Sequence, residues 1–318
     1  MTGQPCDHLI RAVALDGRVR VAAALTTNTA EELRRIHDPS PQVAAALARL
    51  STGALLLAAT LEKVTTREPV LTLEADGGGP AGRLVATASP AGWVRAMAAN
   101  PLATTPRKAE GDLDVAGVVG RGGQLVVTRD SGHSDPYRGV VDLVSGDLAK
   151  DLAVYLSESE QSPAAVVFGV LVVPEGRVDI AGGMLIQLLP GVSDEEAETL
   201  VDHINELGAL SSRIAEGDGP REWLATVFPD GCTILDELPV RFLCGCSSDR
   251  VEAALKLLGV GEIRAAMDED NDRRAVLTCG FCHTEYVLTH ERLRQLLVEV
   301  EAERKSNRSA SPVSGEPD

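Results

Sequence analysis

Short apolar runs broken by glycine and proline dominate residues 1–191 and predict mainly antiparallel strands. Two runs, 9–15 and 19–25, flank Asp16-Gly17, a two-residue step typical of a β-hairpin. The loop at 76–80 lacks the lysine and hydroxyl residue of a phosphate-binding loop, so we interpret it as a hairpin connection. Further strands are predicted at 70–75, 82–88, 92–98, 124–130, 138–144, 164–173 and 177–189.

A few helices interrupt these strands. Thr29 is predicted to cap a helix that ends near His37, and Pro41 suits the first turn of an Ala- and Leu-rich helix that continues to about Val64. Asp147 is predicted to cap a third helix, which Pro163 ends. Residues 1–191 are therefore expected to form an α+β domain of mainly antiparallel sheets with a few helices.

Residues 192–240 have a different, helical pattern. Ser193 and Glu196 form a capping box. The apolar residues that follow recur on one helical face up to residue 214, and they are Ala197, Leu200, Val201, Ile204, Leu207 and Leu210. Residues 217–220 break this helix and a short one follows. The segment has no core of its own, so we predict a helical linker that docks on the first domain or on the module after it.

Residues 241–303 are predicted to form a small α/β module. Ser247 can cap a helix that Gly259 ends. Residues 274–278 and 285–289 are predicted to pair as a hairpin, and Thr289 can cap a last helix. The polar composition of residues 304–318 predicts a disordered tail.

Composition and charge limit the classes of partner. Hydrophobic residues make up 44% of the chain but aromatic residues only 3%, so the core must consist of Ala, Val and Leu. A formal net charge of −17 argues against nucleic acid or a membrane surface as a partner. We identify no leader and no apolar run of the ~18 residues that a membrane span needs. We therefore expect a cytoplasmic protein, in which thiols stay reduced.

Four cysteines form two close pairs, Cys244-x-Cys246 and Cys279-x-x-Cys282, separated by residues 247–278. Each pair offers two sulfurs from one tight loop, which Gly245 or Gly280 allows to turn. This spacing favours one Zn²⁺ held by four thiolates at about 2.3 Å. An iron–sulfur cluster and a redox-active dithiol are the alternatives. A thioredoxin-type pair opens a helix, whereas a strand-like run follows Cys282.

The remaining candidate ligands are interpreted as ordinary side chains. His283 and His290 are close in sequence to the second pair, but four cysteines already complete a tetrahedral shell. Cys6 and Cys232 have no close partner in the sequence. A nucleic-acid-binding zinc ribbon would need a basic face, and the acidic run at 267–272 offsets the arginines of the module.

Several stretches resemble the redox-regulated holdase chaperones of the heat-shock protein 33 family. The matching stretches are SGHSDPYRGVVDLVSGDLAKDLAVYLSESEQSP, AGGMLIQLLPG, FLCGCSSDRVEAALKLLGVGEI and CGFCHTEYVL, between residues 131 and 288. The low aromatic content, the loop at 76–80, Cys6, Cys232 and the polar tail depart from the family pattern, but no departure removes a ligand.

The resemblance implies a non-enzymatic, ATP-independent chaperone that is inactive when it is reduced and zinc-bound. Oxidation would release Zn²⁺, form the disulfides Cys244–Cys246 and Cys279–Cys282, and unfold the linker. The protein would then bind unfolded clients as a homodimer. The rival function from the residues alone is a thiol–disulfide oxidoreductase that uses Cys279 and Cys282.

Simple energetics agree with a metal-dependent switch. A module of this size is near the lower limit for independent folding. Structural zinc supplies on the order of 10–16 kcal/mol in small peptides, whereas a whole domain is stable by only about 5–15 kcal/mol. Loss of the metal should therefore unfold the module. We predict that the helix at 193–214 is the element released.

Overall fold

A computed structural model describes residues 6–62, 67–108, 112–268 and 274–310, with side chains to residue 302 except that of Asp268. The described residues form two compact units, and the chain passes from the first to the second between Leu243 and Cys244. The fold is α+β, as the sequence predicts.

The first unit contains eleven strands among its described residues. They are β1 (His8–Ala14), β2 (Val19–Leu25), β3 (Val70–Gly78), β4 (Leu84–Ala88), β5 (Trp93–Ala98), β6 (Gly120–Asp130), β7 (Tyr137–Asp142), β8 (Ala164–Val172), β9 (Val178–Leu188), β10 (Thr233–Pro239) and β11 (Arg241–Phe242). Every strand predicted before residue 191 is confirmed. The two sheets have the orders β10-β1-β2-β9-β8 and β11-β5-β4-β3-β6-β7. All neighbours are antiparallel except β11 and β5, which are parallel.

The helices of the first unit are α1 (Thr27–His37), α2 (Pro41–Ala58), α3 (Val115–Val119), α4 (Leu148–Glu158), α5 (Asp194–Leu207), α6 (Leu210–Ala215) and α7 (Pro220–Val227). The second unit contains α8 (Ser248–Leu258), α9 (Val260–Asp268), β12 (Arg274–Thr278), β13 (Glu285–Thr289) and α10 (His290–Ala310). The antiparallel pairing of β12 with β13 confirms the predicted hairpin.

Helix α2 is the centre of the first unit and contacts strands of both sheets. Ser40 caps it by accepting a hydrogen bond from the Val43 N–H, and Pro41 occupies its first turn. Its length and mean hydropathy of 1.2 are enough for a membrane span, contrary to our expectation, but 89% of it is buried within the fold. It ends at Ala58, before the predicted end at Val64, which lies outside the described residues.

The prediction that Thr29 caps the first helix is wrong. Helix α1 begins at Thr27, and the Thr29 hydroxyl and N–H both donate to a carboxylate oxygen of Asp7 at 2.6 Å. Asp7 also accepts from the N–H of Asn28 at 3.0 Å. A carboxylate from outside the helix therefore satisfies two of the free N–H groups of its first turn, which the local sequence does not reveal.

The central strands β2 and β9 of the five-stranded sheet are buried on both faces. On β2, Ala22 and Ala24 face the core around α2, whereas Val21 and Ala23 face a second core that includes residues of α5 and α7. Burial on both sides explains why β2 and β9 read as nearly continuous apolar runs rather than as alternating patterns.

The segment predicted as a linker docks on this second face of the sheet. Its buried apolar residues are Leu200, Leu207, Leu210, Trp223, Leu224, Val227 and Phe228. Gly182 permits the approach of α7, because a Cβ at this position would lie 3.0 Å from the Trp223 ring. Gly183 also allows a close approach, because a Cβ there would lie 2.9 Å from the Val167 carbonyl oxygen.

The structure corrects the linker in three respects. The predicted helix at 193–214 is broken at Gly208, which has a φ of 67° and separates α5 from α6. Val201 is not on the docked face, since 55% of its surface is exposed. Residues 233–239 are not helical but form the edge strand β10 along β1. An edge strand tolerates the two acidic residues and the proline that hide its pattern.

The second unit has one small core. It is formed by Leu255, Ile263, Ala275, Leu288, Leu293, Leu296 and Val300. The caps predicted at Ser247 and Thr289 are confirmed, and Gly259 ends α8 as expected. Helix α9 was not predicted. Helix α10 continues to Ala310, so it includes the first residues of the segment predicted as a disordered tail. Residues 311–318 lie outside the described part.

Candidate metal centre

The sulfurs of Cys244, Cys246, Cys279 and Cys282 lie within 4.8 Å of one another in the second unit. Cys244 and Cys246 lie in the loop before α8. Cys279 and Cys282 lie in the turn between β12 and β13. The fold of this unit therefore brings together the two pairs that the sequence separates by more than thirty residues.

Backbone hydrogen bonds shape the turn that carries the second pair. The Cys279 N–H donates to the Thr284 carbonyl, and the His283 N–H donates to the Cys279 carbonyl, both at 2.9 Å. The pair consequently belongs to a hairpin turn. A thioredoxin-type dithiol opens a helix instead, so this placement argues against the oxidoreductase alternative.

The sulfur separations fit a tetrahedral ion. Four sulfurs at about 2.3 Å from a common zinc ion would be about 3.8 Å apart. Cys244 Sγ and Cys279 Sγ are 3.7 Å apart, and Cys246 Sγ and Cys282 Sγ are 3.4 Å apart. Both distances link one loop to the other, so a shared ion would join the two loops.

Tyr286 contacts the cysteine cluster, and the sequence analysis did not single it out. Its hydroxyl donates a hydrogen bond of 2.9 Å to Cys246 Sγ. This hydrogen bond raises the pKa of Tyr286 to about 12, because ionisation would remove the proton that the hydroxyl donates to Cys246 Sγ. Tyr286 lies two residues after Thr284, which contacts Cys282, and this spacing is the sequence signal for its position near the cysteines.

Arg250 organises the first loop. Its Nη1 donates to the Gly245 carbonyl at 2.6 Å. Gly245 and Gly280, both within the described residues, do not adopt a positive φ, so these turns do not require left-handed backbone. At Gly245 the missing Cβ leaves room for the arginine, because a Cβ would lie 2.9 Å from Arg250 Nη1.

The pKa values of Cys246 and Cys282 are shifted in opposite directions. The Tyr286 hydrogen bond lowers the pKa of Cys246, but burial and the neighbouring Cys282 outweigh it and leave the pKa raised. Burial raises the pKa of Cys282, but hydrogen bonds with Thr284 and the contact with Cys246 lower it to about 7. Cys282 therefore has thiolate character near neutral pH, and the thiolate is the form that binds metals.

The other candidate ligands are elsewhere. Within the described residues, the set of grouped ligand atoms contains the four cysteines and neither His283 nor His290. Cys6 is exposed in the first unit. Cys232 packs against the core beneath α5 and α7, where burial raises its pKa. These positions agree with the interpretation of both as ordinary thiols.

Comparison with known proteins identifies similar chains over nearly the whole length. The sequence matches the model of one protein family, described as "Hsp33 protein", over residues 7–289. A protein of Bacillus velezensis named "33 kDa chaperonin" is 41% identical, with 91% of this chain and 98% of that protein covered. The protein of the same name from Bacillus subtilis is 40% identical, with the same shares covered.

A solved structure shares the fold. The crystal structure of the 33 kDa chaperonin, a heat shock protein 33 homolog, from Thermotoga maritima superposes with a TM-score of 0.81 at 29% sequence identity. The alignment covers 94% of this chain and all of that one.

Proposed function

Since this chain belongs to the Hsp33 protein family, we propose that it is a redox-regulated, ATP-independent chaperone that holds unfolding proteins under oxidative stress. The observation that carries the proposal is the four-sulfur cluster in a unit with a core of seven buried residues. Such a unit depends on its metal for stability. The same four cysteines, Cys244, Cys246, Cys279 and Cys282, are the proposed ligands of one Zn²⁺.

When bound, the ion holds the loop before α8 to the β12–β13 turn and neutralises part of the charge of four thiolates. The chain's own residues prepare this site. Tyr286 donates to Cys246, Thr284 contacts Cys282, and Arg250 fixes the backbone of the first loop. A hydrogen bond to a charged sulfur favours the thiolate over the thiol and so favours metal binding.

Oxidation is the proposed trigger. One thiolate attacks a peroxide oxygen, which breaks the O–O bond and leaves a sulfenic acid and hydroxide. The neighbouring thiol then attacks that sulfur, so that a disulfide forms and water leaves. Each pair consumes one peroxide. We propose Cys244–Cys246 and Cys279–Cys282 as the products, which is the pairing that the resemblance to the Hsp33 family implies. These bonds lie within a loop and would leave the two loops unlinked.

Release of the linker follows from the connectivity of the chain. Strand β11 comprises two residues, and Leu243, whose N–H donates to the Val94 carbonyl, directly precedes Cys244. Unfolding from Cys244 onwards therefore begins next to the shortest strand of the first unit. We propose that residues 192–240 are a metastable linker whose release exposes the apolar residues of α5 and α7 to unfolded clients.

The cellular location and the partners of the protein follow from the same proposal. The reduced thiols that Zn²⁺ requires point to the cytoplasm, and capture by an exposed apolar face needs no ATP. We propose that the activated form is a homodimer, and that neither nucleic acid nor a membrane is its partner.

One experiment tests the proposal directly. Bound zinc and suppression of aggregation of a heated client protein are measured before oxidation, after peroxide at mild heat, and after dithiothreitol. We expect one Zn²⁺ and little suppression, then metal loss and strong suppression, then reversal. Peptide mapping should identify the two disulfides within the loops. Metal-free Cys279→Ser protein that gains neither suppression nor exposed apolar surface would contradict the coupling.

A further inference from the structure

Strand β10 is the edge strand of the five-stranded sheet and pairs with β1. None of its seven residues, all within the described part of the chain, is buried. Its ion pairs include that of Arg11 Nη1 with Asp236 Oδ2, which lie 3.4 Å apart. Partly exposed ion pairs contribute little to stability. Strand β10 is therefore held mainly by backbone hydrogen bonds to β1, which any extended peptide could form.

The register shows which backbone groups of β1 face β10. The Val240 N–H donates to the Asp7 carbonyl at 3.0 Å, just before the first pair of the β1–β10 ladder. Successive residues of an antiparallel strand direct their N–H and C=O groups alternately to its two neighbours. Leu9 and Arg11 therefore direct theirs towards β10, whereas Ile10 directs its own towards β2.

Loss of β10 would leave β1 in the sheet, because β1 pairs with β2 along its whole length. Strand β1 would then have an open edge, which we define as the N–H and C=O groups of Leu9 and Arg11. Unpaired groups of this kind are a template for pairing with another chain.

This inference rests on the proposed function, because β10 belongs to residues 192–240, the segment whose release we propose. The same release would remove α5, α6 and α7 from the sheet. It would uncover the face on which Ile10, Ala12, Val21 and Met184 pack in the core beneath α5 and α7. The open edge would then border an apolar surface.

We propose that β1 of the activated protein binds an extended segment of an unfolded client as an added strand, in the place that β10 occupies in the reduced protein. Backbone hydrogen bonds along the open edge supply affinity for any client sequence, and alternate client side chains lie over the apolar surface. Unfolded chains are the matching partner, because the buried backbone groups of a native protein are already paired. Strand β10 thus keeps the site closed until the linker leaves.

Hydrogen exchange of the full chain, resolved to single amides, tests the added strand. The Leu9 and Arg11 amides should be protected in the reduced protein and should exchange at least about tenfold faster after peroxide at mild heat. Addition of a heat-unfolded client should protect them again, whereas the same client in its native form should not. The Ile10 amide, which faces β2, should stay protected throughout.

Two substitutions at one position separate the backbone from the charge. Arg11→Pro removes the N–H from the open edge, and proline is tolerated on an edge strand. Arg11→Gln removes the same charge and keeps the N–H. After peroxide, Arg11→Pro should bind a fluorescently labelled unfolded client about three- to tenfold more weakly than Arg11→Gln, because one hydrogen bond is lost. Protection of the Ile10 amide checks that the sheet of each variant is intact.

The outcomes distinguish this inference from the proposed function. Client held in the aggregation assay without renewed protection of Leu9 and Arg11 overturns the added strand and leaves the chaperone function in place. Equal client affinity in Arg11→Pro and Arg11→Gln overturns it as well, as does protection of both amides that peroxide leaves unchanged. Loss of zinc without any suppression of aggregation contradicts the proposed function instead.

Discussion

At the scale of single residues, the hydroxyl of Tyr286 gives a direct test of the metal centre. Tyr286→Phe removes the hydroxyl that donates to Cys246 Sγ and leaves the aromatic ring in place. Loss of an outer hydrogen bond typically lowers metal affinity by about 10–100-fold. We therefore expect a loss of this size in Zn²⁺ affinity, measured by competition with a chromophoric chelator.

Tyr137→Phe is the matched control. Tyr137 is half-exposed in the first unit, where its hydroxyl lies 3.2 Å from Ser159 Oγ. This variant should keep wild-type zinc affinity. If Tyr286→Phe also keeps it, the hydrogen bond to Cys246 has no role in holding the ion.

The sequence reveals the four cysteines but not the side chains that support them. The cysteines are recognisable because a tetrahedral site needs two close pairs, which is a local property of the chain. Tyr286 and Arg250 become relevant only when the β12–β13 turn and the loop before α8 meet. For the same reason Thr29 was misassigned, since its true partner, Asp7, lies 22 residues away in sequence.

At the scale of secondary-structure elements, the docking of α5 can be weakened without touching the cysteines. Leu207 is 2% exposed in the core beneath α5 and α7. Leu207→Ala should destabilise the docked segment by about 2–5 kcal/mol, the usual cost of such a truncation. We expect faster hydrogen exchange across residues 194–227 and, under the proposed function, partial chaperone activity in the reduced protein.

Val201→Ala provides the control on the same helix. Because 55% of Val201 is exposed, its truncation should change hydrogen exchange little. Equal acceleration in both variants would show that α5 is not held by its docked face, and rapid exchange in Leu207→Ala without client binding would separate linker release from activity.

A second contact of α5 makes its docking sensitive to acid. Arg18 donates from Nη1 and Nη2 to the two carboxylate oxygens of Glu196, each at 2.7 Å. The Arg18 hydrogen bond and the Ser193 N–H lower the pKa of Glu196 to about 2, whereas an unfolded glutamate has a pKa of about 4.3. Because the folded pKa is the lower one, this stabilisation is present above the unfolded pKa and is lost as pH falls toward 2.

Glu196→Gln should therefore differ most from the wild type above about pH 5, and the difference should shrink as pH falls below the unfolded pKa. The difference in the free energy of unfolding is measured by urea titration, with Trp223 fluorescence as the signal in a Trp93→Phe background. Trp223 reports on the docked segment because its side chain is fully buried there. Glu198→Gln, at an exposed position of the same helix, should leave the profile unchanged. A constant difference between wild type and Glu196→Gln at all pH values would exclude the carboxylate as the source.

Elements with strong periodicity were predictable, whereas their interruptions were not. The strands of the first unit and the hairpin of the second follow from alternation and turn residues. The break at Gly208 was missed because Leu207 and Leu210 keep helical spacing across it. Strand β10 was missed because pairing with β1, more than 200 residues earlier, stabilises it, and no local pattern records that partner.

At the scale of the whole molecule, the two units differ in what stabilises them. The first has large apolar cores around α2 and beneath α5 and α7, whereas the second has the small core of seven buried residues described above. A structural ion that binds only the folded second unit adds about 1.4 kcal/mol to its stability for each tenfold rise in free Zn²⁺ above the dissociation constant. Metal concentration should therefore shift one unfolding transition and not the other.

Scanning calorimetry of the reduced protein over a series of zinc buffers measures this difference. We expect the transition of the second unit to rise with free Zn²⁺ and to be lost with excess chelator, while the transition of the sheets in the first unit stays constant. Limited proteolysis after chelation should cut first beyond Leu243, where the second unit begins. The Cys279→Ser variant should behave as the chelated wild type at every zinc concentration. If the whole chain instead unfolds in a single transition whose midpoint rises with Zn²⁺, the ion stabilises the sheets of the first unit as well. Unfolding of the second unit could not then be a separate first step of activation.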